Sequence, residues 1–138
     1  PETEELKERF AGDPRIEWLG RISEKEKFSR MKGADIFCAP SLRGESFGIV
    51  LLEGMACDTV VVASDIPGYS KVAEEGKHAV LVPPNDSHSL ATAIEKILGD
   101  ESRQQEIREN GRKRASQFSM KSLAKRYLDS YQELLKAL

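Results

Sequence analysis

Residues 45–64 read ESFGIVLLEGMACDTVVVAS. The segment Phe47–Ala56 is apolar almost all round, with Glu53 as its one charge. It is too long for an ordinary buried strand, so it is predicted as a buried helix. Thr59–Ser64 opens on four consecutive β-branched residues and has no charge, the pattern of a strand covered on both faces. A buried helix running straight into a buried strand is half of a βαβ unit.

Working outward, the same alternation continues. Upstream, ADIFCAPS (residues 34–41) is predicted as a strand stopped by Pro40. Before it, Ser23 and Glu26 have capping-box spacing, predicting a helix over Glu24–Lys32 that ends at Gly33. RIEWLG (residues 15–20) alternates and is predicted as a further short strand. The first residues form a short charged helix ending at Gly12 and Pro14. Downstream come a turn at Ile66–Gly68, a short helix over Tyr69–Glu75 closed by Gly76, and a strand over His78–Pro84. Asn85, Asp86 or Ser87 then caps a helix carrying Leu90, Ala93, Ile94, Ile97 and Leu98. Two charged helices, Glu101–Gln117 and Met120–Lys136, finish the chain. Strands alternating with helices specify an α/β fold, a Rossmann-like parallel sheet with helices on both faces.

Composition narrows the function. The 138 residues hold 21 basic and 23 acidic side chains, a net charge of −2. That balance argues against an electrostatically driven nucleic-acid binder. No run of eighteen apolar residues exists, and no signal peptide is visible. Cys38 and Cys57 lie apart in apolar runs, without CxxC spacing, and read as reduced core cysteines of a cytoplasmic protein. With two cysteines and two histidines, no metal site is expected.

In parallel sheets ligands sit beyond the carboxyl ends of the strands. The loop carrying Glu45, Ser46, Phe47 and Gly48 lies at such an end and leads into a helix. Its backbone N–H groups are helix-start donors without partners, suited to a diphosphate. Glu53 is a carboxylate among Leu51, Leu52 and Met55, costly there unless it is hydrogen-bonded. Ribose hydroxyls would satisfy it, and so would a basic side chain from elsewhere. Glu45 reads either as a ligand group or as a substitute helix cap.

PSLRGESFGIVLLEGMA followed by TVVVASDIPG resembles the retaining family-4 glycosyltransferases of the GT-B fold. The family pattern is Glu, seven residues, Glu, and Glu45 to Glu53 fits it. RIEWLGRIS and VLVPPNDSHSLATAI are similar too, so the likeness covers nearly the whole chain. It is strongest to phosphatidylinositol mannosyltransferase-type enzymes, through IFCAPSLRGESFGIVLLE. The resemblance implies that Glu45 contacts the donor sugar and is the catalytic carboxylate, as nucleophile or as stabiliser of the cationic sugar. It implies that Ser46, Phe47, Gly48, Ile49 and Val50 line the sugar, diphosphate and ribose, and that Glu53 holds the ribose hydroxyls. Ile22, Glu24 and Lys27 would face the base, although Glu24 and Lys27 also read as an i, i+3 pair on a solvated helix face.

The resemblance implies sugar transfer from a nucleoside diphosphate sugar, with GDP-mannose or a UDP-sugar as donor and no metal or other cofactor. Two departures stand out: Gly54 replaces the usual Ala, and Cys57-Asp58 replaces Ala-Gly, where Asp58 can still turn left-handed. The family's first two strands, its Gly-Arg…Lys segment and its acceptor domain have no counterpart here. The expectation is therefore an N-terminally truncated donor-binding domain over residues 1–138, matching family strands 3 to 6. Its partners would be the donor and the acceptor domain of the same polypeptide. By itself it would be inactive, and any membrane contact would come through that other domain. The competing readings are a nucleotide-binding module without catalysis, and an epimerase or phosphorylase relative. Arg112, Lys113, Arg114, Lys121, Lys125 and Arg126 could suit an anionic membrane surface, but they are interleaved with Glu106, Glu109, Asp129 and Glu133 and read as a solvated face. Leu123, Tyr127, Leu128, Tyr131, Leu134 and Leu135 form an apolar stripe, left exposed or buried in a dimer.

Overall fold

Val60 to Ser64 are all buried, as a run of β-branched residues predicts for a strand covered on both faces. In the computed structural model, which describes residues 2–136, this segment is the central strand of a parallel sheet. The elements in chain order are α1 (Glu2–Arg9), α2 (Glu24–Gly33), β1 (Ile36–Ala39), α3 (Ile49–Ala56) and β2 (Val60–Ser64). There follow α4 (Pro67–Ala73), β3 (Val80–Val82), α5 (Ser87–Leu98), α6 (Glu101–Gln117) and α7 (Met120–Lys136). The sheet order is β1-β2-β3, with Ile36 opposite Val60 and Val62 opposite Val80.

The two-residue period of β2 divides the core. Val61 and Ala63 join Leu51, Met55, Tyr69 and Val72 of α3 and α4 on one face. Val60 and Val62 meet Ile97 and Ile107 of α5 and α6 on the other. Each fully buried aliphatic side chain contributes about 1.5–3 kcal/mol relative to exposure. Gly54 is explained by this packing. A Cβ there would lie 2.9 Å from Phe37 Cδ1 and 3.0 Å from Val61 Cγ2, so its absence lets α3 approach the sheet closely.

Several expectations are corrected. Residues 15–20 form no strand, so the sheet has three strands among the described residues rather than four. Alternation gives RIEWLG strand propensity, but a strand needs a hydrogen-bonded neighbour, and none reaches this segment. Ile16, Trp18 and Leu19 stay 38–42% exposed, and the segment is tied down chiefly by Glu17, which receives Arg30 at 2.8 and 2.9 Å. Helix α3 starts at Ile49, leaving Phe47 and Gly48 in the preceding loop. The short helix α4 runs from Pro67, because Pro at its first position is preset for a helix. The capping box of α2 is half-formed. Ser23 Oγ accepts from the Glu26 amide at 3.2 Å, while the Glu26 carboxylate takes Arg30 Nε at 2.8 Å. Both cysteines are free and only half-buried. Asp58 does adopt the left-handed conformation, φ 63°, and Asp86 caps α5 through the Ser89 amide at 2.9 Å.

Candidate functional site

Lys27 decides the geometry. Its Nζ lies 2.9 Å from Glu24 Oε2 on its own helix and 2.9 Å from Glu53 Oε1 on α3. The Glu24–Lys27 pair and Glu53, read apart from each other in the sequence, thus form one ion triad between α2 and α3. Glu24 is an open partner at 75% exposure, whereas Lys27 and Glu53 are 27% and 24% exposed. The Glu24 and Glu53 carboxylates hold the Lys27 ammonium above its ordinary pKa. Its charge is therefore fixed across the neutral range. Both simpler alternatives are realised in the geometry: Glu53 has found a basic partner, and Glu24 and Lys27 are an i, i+3 pair. Their union in one cluster is what a lone helix-face pair would not give.

One turn N-terminal to Glu53, α3 begins without a side-chain cap. Gly48 is the cap residue, left-handed at φ 90°, and no side chain accepts from the first amides. Glu45 is therefore not a substitute cap. Among the described residues, the amides of residues 46–50 donate no hydrogen bond. Such donors at a helix start form a ready site for an anion. Glu45, Ser46 and Phe47 are exposed and Gly48 is buried. The Glu45 carboxylate has no hydrogen-bond or ion-pair partner among the described residues, and the geometry does not bond it to the triad. Ile22 is half-buried just ahead of α2, Ile49 is 64% exposed and Val50 packs against the core.

The loop is held from below. The α carbon of Gly68 comes so close to the Glu45 carbonyl oxygen that a side chain there would collide with it. Tyr69, fully buried, places its hydroxyl 3.0 Å from Ser41 Oγ. Sequence reading assigned no role to Tyr69, because local pattern marks it only as a helix residue. On the outer side, Phe47 meets Phe118 edge-to-face, with ring centroids 5.5 Å apart. A cleft of about 890 Å³ opens beside these rings, lined by Phe28, Phe47, Leu52, Glu53, Phe118 and Leu123. A second cleft of about 870 Å³ runs along β3 and α5 past His88, Thr92 and Lys96. It holds none of the candidate site residues read from the sequence. No group of three or more potential metal ligands occurs among the described residues.

Comparison with known proteins gives the family. The family described as "Glycosyl transferases group 1" matches residues 2–114. A phosphatidyl-myo-inositol mannosyltransferase of Mycolicibacterium smegmatis is 45% identical over 100 residues, 71% of this chain and 26% of that protein. A D-inositol 3-phosphate glycosyltransferase of Corynebacterium kroppenstedtii is 32% identical over 98% of this chain and 30% of its own length. Among solved structures, sucrose-phosphate synthase from Thermosynechococcus elongatus superposes with TM-score 0.82 and 31% identity, covering 99% of this chain and 34% of that one. Anabaena HepE in complex with UDP gives TM-score 0.82 and 26% identity over 96% of this chain and 36% of its own. The chain thus spans about a quarter to a third of the relatives it matches.

Proposed function

The chain belongs to the group 1 glycosyl transferases, and from that premise we propose that it forms the donor-binding part of a retaining enzyme. The reaction moves a sugar from a nucleoside diphosphate to an acceptor hydroxyl. The bond from anomeric carbon to phosphate oxygen breaks, a new bond forms from that carbon to the acceptor oxygen, and the acceptor proton departs.

One observation carries this reading: Lys27 ties Glu53 to Glu24, one helical turn from the unpaired amides of residues 46–50. Glu53 accepts more than one hydrogen bond, so ribose hydroxyls can share it with Lys27. Glu24, Lys27 and Ile22 face the base. The amides receive the diphosphate and stabilise the charge that builds on it as the sugar leaves. Glu45, unpaired and exposed at the same loop, is free to meet the cationic sugar. The relatives named as mannosyltransferases favour mannose as the sugar, with GDP as its carrier resting on the resemblance at Glu24 and Lys27, while the UDP complex of Anabaena HepE favours a UDP-sugar. The acceptor half of the reaction is assigned to another part of the same polypeptide, so this chain alone is expected to bind donor without turnover. No described helix is long and apolar enough to cross a membrane. The free cysteines fit a cytoplasmic enzyme, and the reading gives any membrane contact to its acceptor half.

The test is calorimetric titration of GDP, UDP and ADP into the chain and into Glu53→Ala. Saturable binding of one nucleotide, weakened at least about tenfold in the variant, supports the donor site. Equal affinity in both proteins would overturn the role given to Glu53.

A further inference from the structure

Arg114 sits on α6 with a side chain 14% exposed, and it makes more contacts than surface decoration requires. Its Nε and Nη2 donate to the carbonyls of Val72 and Lys71, each at 3.0 Å, satisfying the C-terminal end of α4. Nη1 lies 2.6 Å from Glu74 Oε1. The guanidinium, held on three sides, is then 4.8 Å from the centroid of Phe118. Phe118 in turn meets Phe47 edge-to-face at 5.5 Å. Phe47 lies between Ser46 and Gly48, in the loop whose amides are unpaired.

From this chain of contacts we infer that Arg114 and Phe118 are positioning residues for the loop of Glu45 to Gly48. Arg114 fixes the Phe118 ring from behind, and Phe118 fixes Phe47. The inner side of the loop already rests on Gly68 and Tyr69, so the outer ring pair closes the second side of a clamp. A loop whose amides have no internal hydrogen bonds needs such external support, because nothing in its own backbone holds the donors aligned. The guanidinium suits the task through its planar fork, which donates to two carbonyls and to Gln117 Oε1 and pairs with the Glu74 carboxylate while stacking on a ring. A lysine ammonium cannot match that geometry. The consequence for diphosphate binding rests on the proposed donor site; the ordering of the loop does not.

The experiment measures two things on Phe118→Ala, Phe118→Tyr and Arg114→Lys, with Phe118→Leu in reserve should the alanine variant not fold. Backbone order parameters of residues 45–48 are measured by ¹⁵N relaxation. They should stand near the rigid value of about 0.85 in the parent chain and fall below about 0.6 in Phe118→Ala. Phe118→Tyr should restore them, and Arg114→Lys should give an intermediate value. Affinities for GDP and UDP are then compared with those for guanosine and uridine. The preference for diphosphate over nucleoside should drop about tenfold in Phe118→Ala, with nucleoside affinity within about twofold of the parent, since the Lys27 triad is untouched. Unchanged order in Phe118→Ala overturns the inference, as does a loop equally mobile in the parent. Loosening of the loop while the parent binds no nucleotide supports the positioning and removes the donor site. Loosening with an undiminished diphosphate preference would detach the clamp from binding and refute its role there.

Discussion

At Gly54 a general rule of helix propensity reverses. Ala is the better helix former by about 1 kcal/mol, yet the space a methyl needs is taken by Phe37 and Val61. Overpacking a tight core costs about 1–3 kcal/mol. Gly54→Ala should therefore lower stability by about 1 kcal/mol net, read as a shift of the urea midpoint at unchanged slope. A gain in stability would mean that α3 can move off the sheet. Gly68 has a harder neighbour. Its missing side chain makes room for the Glu45 carbonyl, a backbone atom that cannot rotate aside. Gly68→Ala should displace the loop of Glu45 and weaken nucleoside diphosphate binding at least about fivefold. Guanosine and uridine, which in the proposed site reach only the Lys27 triad, should bind as before. If diphosphate and nucleoside lose affinity equally, the loop and the triad are not separate parts of the site.

Elements whose residues carry their own pattern were readable; elements that need a distant partner were not. Thr59–Ser64 announces a buried strand, which forms over Val60–Ser64, and Phe47–Ala56 a buried helix, which forms only from Ile49 and buries Leu51, Gly54 and Met55 while Ile49 stays exposed. Glu45, Ser46, Gly48 and Glu53 could be singled out because helix starts and lone buried carboxylates are local signals. Glu24 and Lys27 were visible as a pair, but their bond to Glu53 was not, because it depends on how α2 lies against α3. Tyr69 was marked only as a helix residue and Phe118 not at all. Arg114 read as part of a solvated basic face, a reading corrected by its 14% exposure and its bonds to the end of α4. RIEWLG failed for the opposite reason: its alternation is real, and no strand stands beside it. Trp18, the one tryptophan, is 42% exposed there. Its emission should be that of a solvated indole and readily quenched by acrylamide, and a blue-shifted, protected signal would show the segment packed. Helix α7 is legible and unpartnered in the same sense, with no buried residue among its seventeen. Deleting residues 120–138 should leave the thermal midpoint within a few degrees, since about 1 kcal/mol moves it by about 4 °C in a domain near this size. A larger loss would mean that Leu123 and Met120, at the mouth of the cleft, support α3.

Across the whole molecule, charge is nearly balanced, at −2 from 44 ionisable Lys, Arg, Asp and Glu side chains, so net repulsion is weak near neutrality. What pH changes is the local pairing. Hydrogen bonds from Arg15 hold the Asp13 carboxyl below its ordinary range, and those from Arg30 do the same for Glu17. The hydrogen bond with His78 lowers Glu74, and the Ser89 hydroxyl and amide lower Asp86 at the start of α5. All four groups shift in one direction. In the unfolded chain they would titrate near about 4, so in acid the unfolded state binds more protons than the folded one. Their contribution is present in full above that pH and is lost as pH falls through the lower folded values. The four are solvent-facing, so each adds little and salt screens it. Urea midpoints should therefore be flat from about pH 7 to 5 and decline below about pH 4. The decline should be shallower in 0.5–1 M salt, roughly where the screening length shrinks towards 3 Å. Asp86→Asn keeps a capping oxygen without the charge and should flatten part of the acid limb while leaving the helix capped. Stability that rises on acidification would require buried carboxyls with raised pKa values, and so a different arrangement of these pairs.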